Sequence, residues 1–173
     1  MITADPSGYV LFVIPSILVS IAITPILLSI SPTPTFETTK AMSLGKLMES
    51  SPLGCVGMFF LGGIFSAQFG MSAVYGAEAG LTVVQISTFV ATIFIGAMIT
   101  QFPIGWISDR MDRRALIGIT AIIGGIGAIV GIMADNNFTM ILVAGFMMGG
   151  TSNPLYSLLL AHTNDFLEHE DMA

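Results

Sequence analysis

Gln101-Phe102-Pro103-Ile104-Gly105-Trp106-Ile107-Ser108-Asp109-Arg110-Met111-Asp112-Arg113-Arg114 ends on five charged residues out of six. An uncharged run lies on either side of that cluster, residues 82–107 and 115–133, with no Asp, Glu, Lys or Arg in either. A hydrocarbon core about 30 Å thick takes about 20 apolar residues per helical crossing. Each run is therefore long enough to span, and the cluster between them is a tight loop at the membrane surface. Three more uncharged runs, residues 8–30, 52–72 and 138–161, bring the expected total to five transmembrane helices. The runs are continuous rather than alternating in polarity, which argues against a β-barrel. Composition agrees, with 54% hydrophobic and 9% charged residues and a mean hydropathy of +0.88. Too little polar surface is present to coat a soluble domain. The expected fold is an all-α, multi-pass membrane protein whose first partner is the lipid bilayer.

The basic residues orient the helices. Lys40 and Lys46 lie between the first and second runs, and Arg110, Arg113 and Arg114 between the third and fourth. The opposite loops, around Glu78 and Asp135, and the start with Asp5 carry none. Since basic loops stay in the cytoplasm, Met1 is expected outside and the acidic tail inside. The first run is too long for a secretory signal and lacks a basic start and a small-residue cleavage site. Cys55, the single cysteine, sits inside the second run and is expected to pack. Within the loop at 31–51, Ala41, Leu44, Leu47 and Met48 recur at helical spacing, fitting a short surface helix as well as a linker. Gly127 with Gly131, and Gly145 with Gly149, each clear side chains from one helix face, which in lipid favours close helix contact.

The charged loop has unusual electrostatics. Asp109 is expected at a helix C-terminus, where the helix dipole opposes an anion, and Arg113 and Arg114 at a helix N-terminus, where it opposes cations. Asp109 therefore calls for a partner outside its own helix, whereas Asp112 is well placed to cap the next one. Gly105, one turn before Asp109 on the same face, would let another helix approach the carboxylate. The plainer alternative is that the arginines only fix topology and one of them pairs with Asp109.

The pattern G-x-x-x-D-R-x-x-R-R between two membrane helices, formed by Gly105, Asp109, Arg110, Arg113 and Arg114, resembles the signature loop of the major facilitator superfamily. Asp112 stands where that motif more often has glycine. Ser51-Pro52-Leu53-Gly54 and Gln101-Phe102-Pro103-Ile104-Gly105 resemble a bacterial branch of efflux-type or uncharacterised members. The resemblance implies a partial fold of that family holding its sixth to tenth helices. Residues 1–30 would close the N-terminal half and 31–51 form the cytoplasmic central loop. Residues 52–161 would be four helices of the C-terminal half and 162–173 a cytoplasmic tail, in a truncated chain. It further implies a carrier of a small solute in the inner, plasma membrane, working by alternating access with the remaining helices of a longer protein.

In that fold the second and fifth helices of this chain would face the cavity. Gln68 and Ser72 on the second, with Ser152, Asn153 and Tyr156 on the fifth, are the candidate lining residues. An amide in hydrocarbon must find a partner, either a substrate or another helix. Gly145 and Gly149 share the sector of Ser152, Asn153 and Tyr156. Gln85, Thr88, Thr92, Gly96, Thr100 and Pro103 share a face of the third helix that reads as a packing seam. Ser16, Ser20 and Thr24 line the first helix, where they can bond their own backbone. No carboxylate lies within a helical run, so a coupling proton would be handled elsewhere. His162 is expected to cap or be solvated. No cofactor, metal, catalytic residue or nucleic-acid partner is expected, because no serine with a histidine, no paired aspartates and no H-E-x-x-H motif lies at membrane depth. A competing reading is a membrane scaffold that packs through its glycine faces and transports nothing.

Overall fold

The structure, a computed structural model, describes residues 9–28, 43–135 and 137–166. Lys40, the proline-rich start of the long loop, Asp5 and most of the acidic tail lie outside them. The chain divides into two compact units, Met1–Thr38 and Thr39–Ala173. The first holds α1, Val10–Leu27, interrupted by Pro15 and Pro25. Its hydroxyl line turns inward to its own backbone, with Ser20 Oγ donating to Ser16 O at 2.9 Å and Thr24 Oγ1 to Ser20 O at 3.0 Å.

The second unit opens with a short helix, α2, Leu44–Ser50, started by Ser43, whose side chain accepts from the Lys46 N–H at 3.4 Å. Four long helices follow: α3 Pro52–Glu78, α4 Val83–Ser108, α5 Arg113–Ile132 and α6 Phe138–Asn164. Among the described residues α3, α4 and α5 are each long and apolar enough to cross a membrane. α6 is as long as α3, at 27 residues, but Thr151, Ser152, Asn153 and Pro154 make its middle more polar.

α3 corrects one expectation. It continues past residue 72 to Glu78 and ends only where Gly80 takes a positive φ of 70°. Counting a bilayer's worth of residues sets the least length of a helix; its end is set by the left-handed position that glycine adopts cheaply. The connection to α4 is correspondingly short. Thr82 and Gln85 form a capping box there, the Thr82 N–H donating to Gln85 Oε1 at 2.9 Å and the Gln85 N–H to Thr82 Oγ1 at 3.4 Å. Gln85 thus belongs to a helix start rather than to the seam. Asp112 and Asn137 cap α5 and α6.

α6 is the centre of this unit, packed most extensively against α4 and then α5. Small residues make the α4 contact possible. A Cβ on Gly149 would stand 2.0 Å from Ile93 O, and one on Gly96 2.3 Å from Phe146 O. Thr100 Oγ1 also donates across to Gly150 O at 2.5 Å. Without a hydrophobic driving force between helices in lipid, such backbone proximity and hydrogen bonding hold the pair. One apolar core, around Leu61, Leu116, Ile117, Leu158 and Leu159, lies toward the charged loop, and another, around Phe89, Ile93 and Ile141, toward the opposite end. The outer faces remain apolar and exposed, with Ile119, Ile122, Ile126 and Ile129 along α5.

Candidate functional site

Two groups of polar residues stand out, at one end of the bundle and near its middle. At the end, Asp109 is the C-cap of α4. Its carboxylate makes no hydrogen bond or ion pair among the described residues, so the pairing of Asp109 with a neighbouring arginine is not formed. Gly105, one turn earlier, is exposed, with open space where a side chain would stand. Each arginine is engaged elsewhere. Arg110 donates to Trp106 O at 3.0 Å and stacks 3.8 Å from the Trp106 ring centre. Arg113 forms an ion pair with Asp165 and reaches Ala161 O at 3.4 Å. The end of α6 thereby offsets the unfavourable charge of Arg113 at the start of α5. Arg114 lies 5.2 Å from the Phe166 ring. Asp112 Oδ1 accepts from the Arg114 N–H at 2.8 Å, the expected cap.

His162 is buried in the same neighbourhood, edge-on to Phe166 at 4.9 Å. α6 is about 40 Å long at 1.5 Å per residue, so its last turn, level with the charged loop, lies beyond a core of about 30 Å. Burial first, and then the Arg114 cation, hold the imidazole below its ordinary pKa, against the opposing pull of Asp165 and Asp112. Both effects favour the uncharged imidazole. It takes part in packing here rather than in solvent.

Near the middle, α3 and α6 meet through an amide. Gln68 and Ser152 are both buried, and Ser152 Oγ donates to Gln68 Oε1 at 3.0 Å. Ser72 Oγ donates to the backbone O of Gln68. The other end of the amide, Gln68 Nε2, is buried without a hydrogen-bond partner. Gln68 and Ser72 line a cavity of about 330 Å³. Ser152, Asn153 and Tyr156 are not on its wall. Asn153 is half-buried, and Tyr156 is exposed with its ring 6.4 Å from Phe65. The helix face expected to run from Gly145 to Tyr156 is divided, because Gly145 and Gly149 are pressed against Phe89 and Ile93 of α4.

The pattern that defines the Major Facilitator Superfamily matches residues 53–173, most of the chain. The chain belongs to the Major Facilitator Superfamily. Proteins named "Uncharacterized MFS-type transporter YcaD" are similar to it. That of Escherichia coli O6:K15:H31 is 22% identical over 140 residues, 81% of this chain and 35% of its own. That of E. coli O9:H4 is 22% identical over 136 residues, 79% of this chain and 34% of its own. The chain thus spans about a third of the length of these relatives. No solved structure matches.

Within this superfamily fold, the loop residues were legible from spacing, but the contact of Arg113 with Asp165 was not. It joins positions 52 residues apart, on two helices whose packing no local pattern reveals. The aromatic wall of the cavity, Tyr75 and Phe89, was also missed. Tyr75 fell beyond the expected end of its helix, and Phe89 looks like any apolar residue of a membrane run.

Proposed function

We propose that the chain is part of a longer membrane carrier that moves a small solute by alternating access. The observation that carries this reading is Asp109, an anion at an unfavourable helix end with no partner among the described residues, beside the bare surface at Gly105. Such a group suits a latch that closes on another helix in one state and opens in the other. The superfamily membership and the similarity to proteins named as transporters support the same reading. On it, α1 and α3–α6 are the family's sixth to tenth helices, the basic loops face the cytoplasm, and the membrane is the bacterial inner membrane. Gln68, Ser72, Ser152, Asn153 and Tyr156 contribute to the solute pathway. A coupling proton, if the carrier uses one, is taken up by helices outside this chain.

Replacing Asp109 by Asn keeps the shape and removes the charge. Loss of a charge-assisted contact, about 1.5–3 kcal/mol, shifts a two-state equilibrium roughly 10- to 150-fold. In the protein encoded by the complete gene, Asp109→Asn is expected to lower turnover. It should also change the thiol reactivity of cysteines placed at Asn153 and Tyr156. Normal transport with unchanged reactivity at both positions would reduce the loop to a topology signal.

A further inference from the structure

α3 and α5 flank α6 without packing substantially on one another, and the cavity of about 330 Å³ takes its walls from all three and from α4. Tyr75 lies near the end of α3, Phe89 near the start of α4 and Ile132 at the end of α5, which places the cavity in the half of the bundle away from the charged loop. Gln68 and Met148 lie closer to the middle of their helices and mark its depth. The size falls within the range of small-molecule pockets, roughly 300–1,000 Å³.

The wall chemistry narrows the occupant. No lining residue is an Asp, Glu, Lys, Arg or His, so an ion would shed its water here without a countercharge. Tyr75 and Phe89, with ring centres 5.9 Å apart, offer flat apolar surface, and Met71 and Met148 offer adaptable surface. The buried, unused polar function on the wall is Gln68 Nε2: its residue is 6% exposed, its Oε1 is taken by Ser152, and its N–H groups have no partner. A buried donor in apolar surroundings is disfavoured until an acceptor reaches it.

We propose that this cavity binds an uncharged, largely apolar small molecule, held by one hydrogen-bond acceptor on Gln68 Nε2. That such a molecule is the transported solute rests on the carrier reading; that it binds does not. Benzophenone is a fitting probe, since its carbonyl is both a hydrogen-bond acceptor and, under light, the group that inserts into nearby C–H bonds. The protein encoded by the complete gene, purified in detergent, is irradiated with benzophenone and the labelled residues are mapped by mass spectrometry. Labels are expected on Ile93, which is buried, or Met148, which is half-buried. Fluorenone, an uncharged ketone, should protect about fivefold to tenfold better than fluorene, which has the same rings and no acceptor. The anion 4-benzoylbenzoate should not protect.

Gln68→Leu should abolish the difference between fluorenone and fluorene while leaving the protection by fluorene, which shows that the pocket is still folded. Ala128→Leu, on the cavity wall, should block labelling by filling the space. Labels confined to exposed membrane-facing residues would overturn the proposal, since another helix would then occupy the gap. Equal protection by fluorenone and fluorene in the unaltered protein would also overturn it, leaving water as the partner of Gln68. Binding as expected, without transport of any ketone, would remove the carrier reading and leave the binding site standing.

Discussion

Arg113 and Asp165 share one ion pair, with side chains 30% and 48% exposed. At that exposure Coulomb attraction is diluted by water, and holding two mobile side chains together offsets part of it. The pair is therefore a positional tie between the start of α5 and the end of α6 more than a source of stability. A double-mutant cycle with Arg113→Met and Asp165→Asn, read by thermal unfolding in detergent, is expected to give a coupling of about 0.2–1 kcal/mol that shrinks as salt is added. Coupling well above that range, insensitive to salt, would show the pair to be buried in the complete protein. At this scale the sequence was informative wherever chemistry is local. Asp112 as a cap and the bare Gly105 surface beside Asp109 followed from position alone. Gln85 was misread because a polar residue on a helix face and one in a capping box differ only in where the helix begins.

Among the described residues the α4–α6 pair makes the most extensive helix contact, and glycine is what allows it. Gly149→Ala would bring a Cβ to 2.0 Å from the backbone oxygen of Ile93, and backbone cannot rotate away as a side chain can. The helices must separate instead, losing dispersion contacts and straining the Thr100 to Gly150 bond. A destabilisation of about 1–3 kcal/mol is expected, the range for overpacking a well-filled interior. Gly62→Ala on α3 is the control, since nothing lies within 4 Å of the added Cβ. There the change should be neutral or stabilising by about 0.5–1 kcal/mol, because alanine suits a helix better than glycine. Comparable effects at both positions would mean that the α4–α6 contact is not as close as described. The four-residue glycine spacing made helix contact legible in the sequence. Which helix each face meets was not, because glycine leaves no side chain to identify its neighbour.

For the molecule as a whole the open question is orientation, for which the distribution of charge supplies a prediction. Described basic residues occur at Lys46, before α3, and at Arg110, Arg113 and Arg114, between α4 and α5. The turns at the other end, residues 79–82 and the turn around Asp135, hold none. Because α3 and α4 run between these ends as a consecutive pair, as do α5 and α6, the basic positions fall on one side and the bare turns on the other. Insertion keeps Lys and Arg in the cytoplasm, where carrying them across the bilayer is most costly. Single cysteines are the direct measure, after Cys55 is replaced by Ala. Cysteines placed at Lys46 and Arg113 should resist a membrane-impermeant thiol reagent in intact cells and react once the cells are opened. A cysteine at Asp135 should react in both conditions. Its position in a turn with a positive φ of 39° leaves it outside the α5 and α6 ladders, so labelling there reads sidedness rather than helix packing. Labelling of Arg113 and protection of Asp135 in intact cells would invert the topology and move Asp109 to the outer surface. Equal labelling of all positions would remove the spanning arrangement itself.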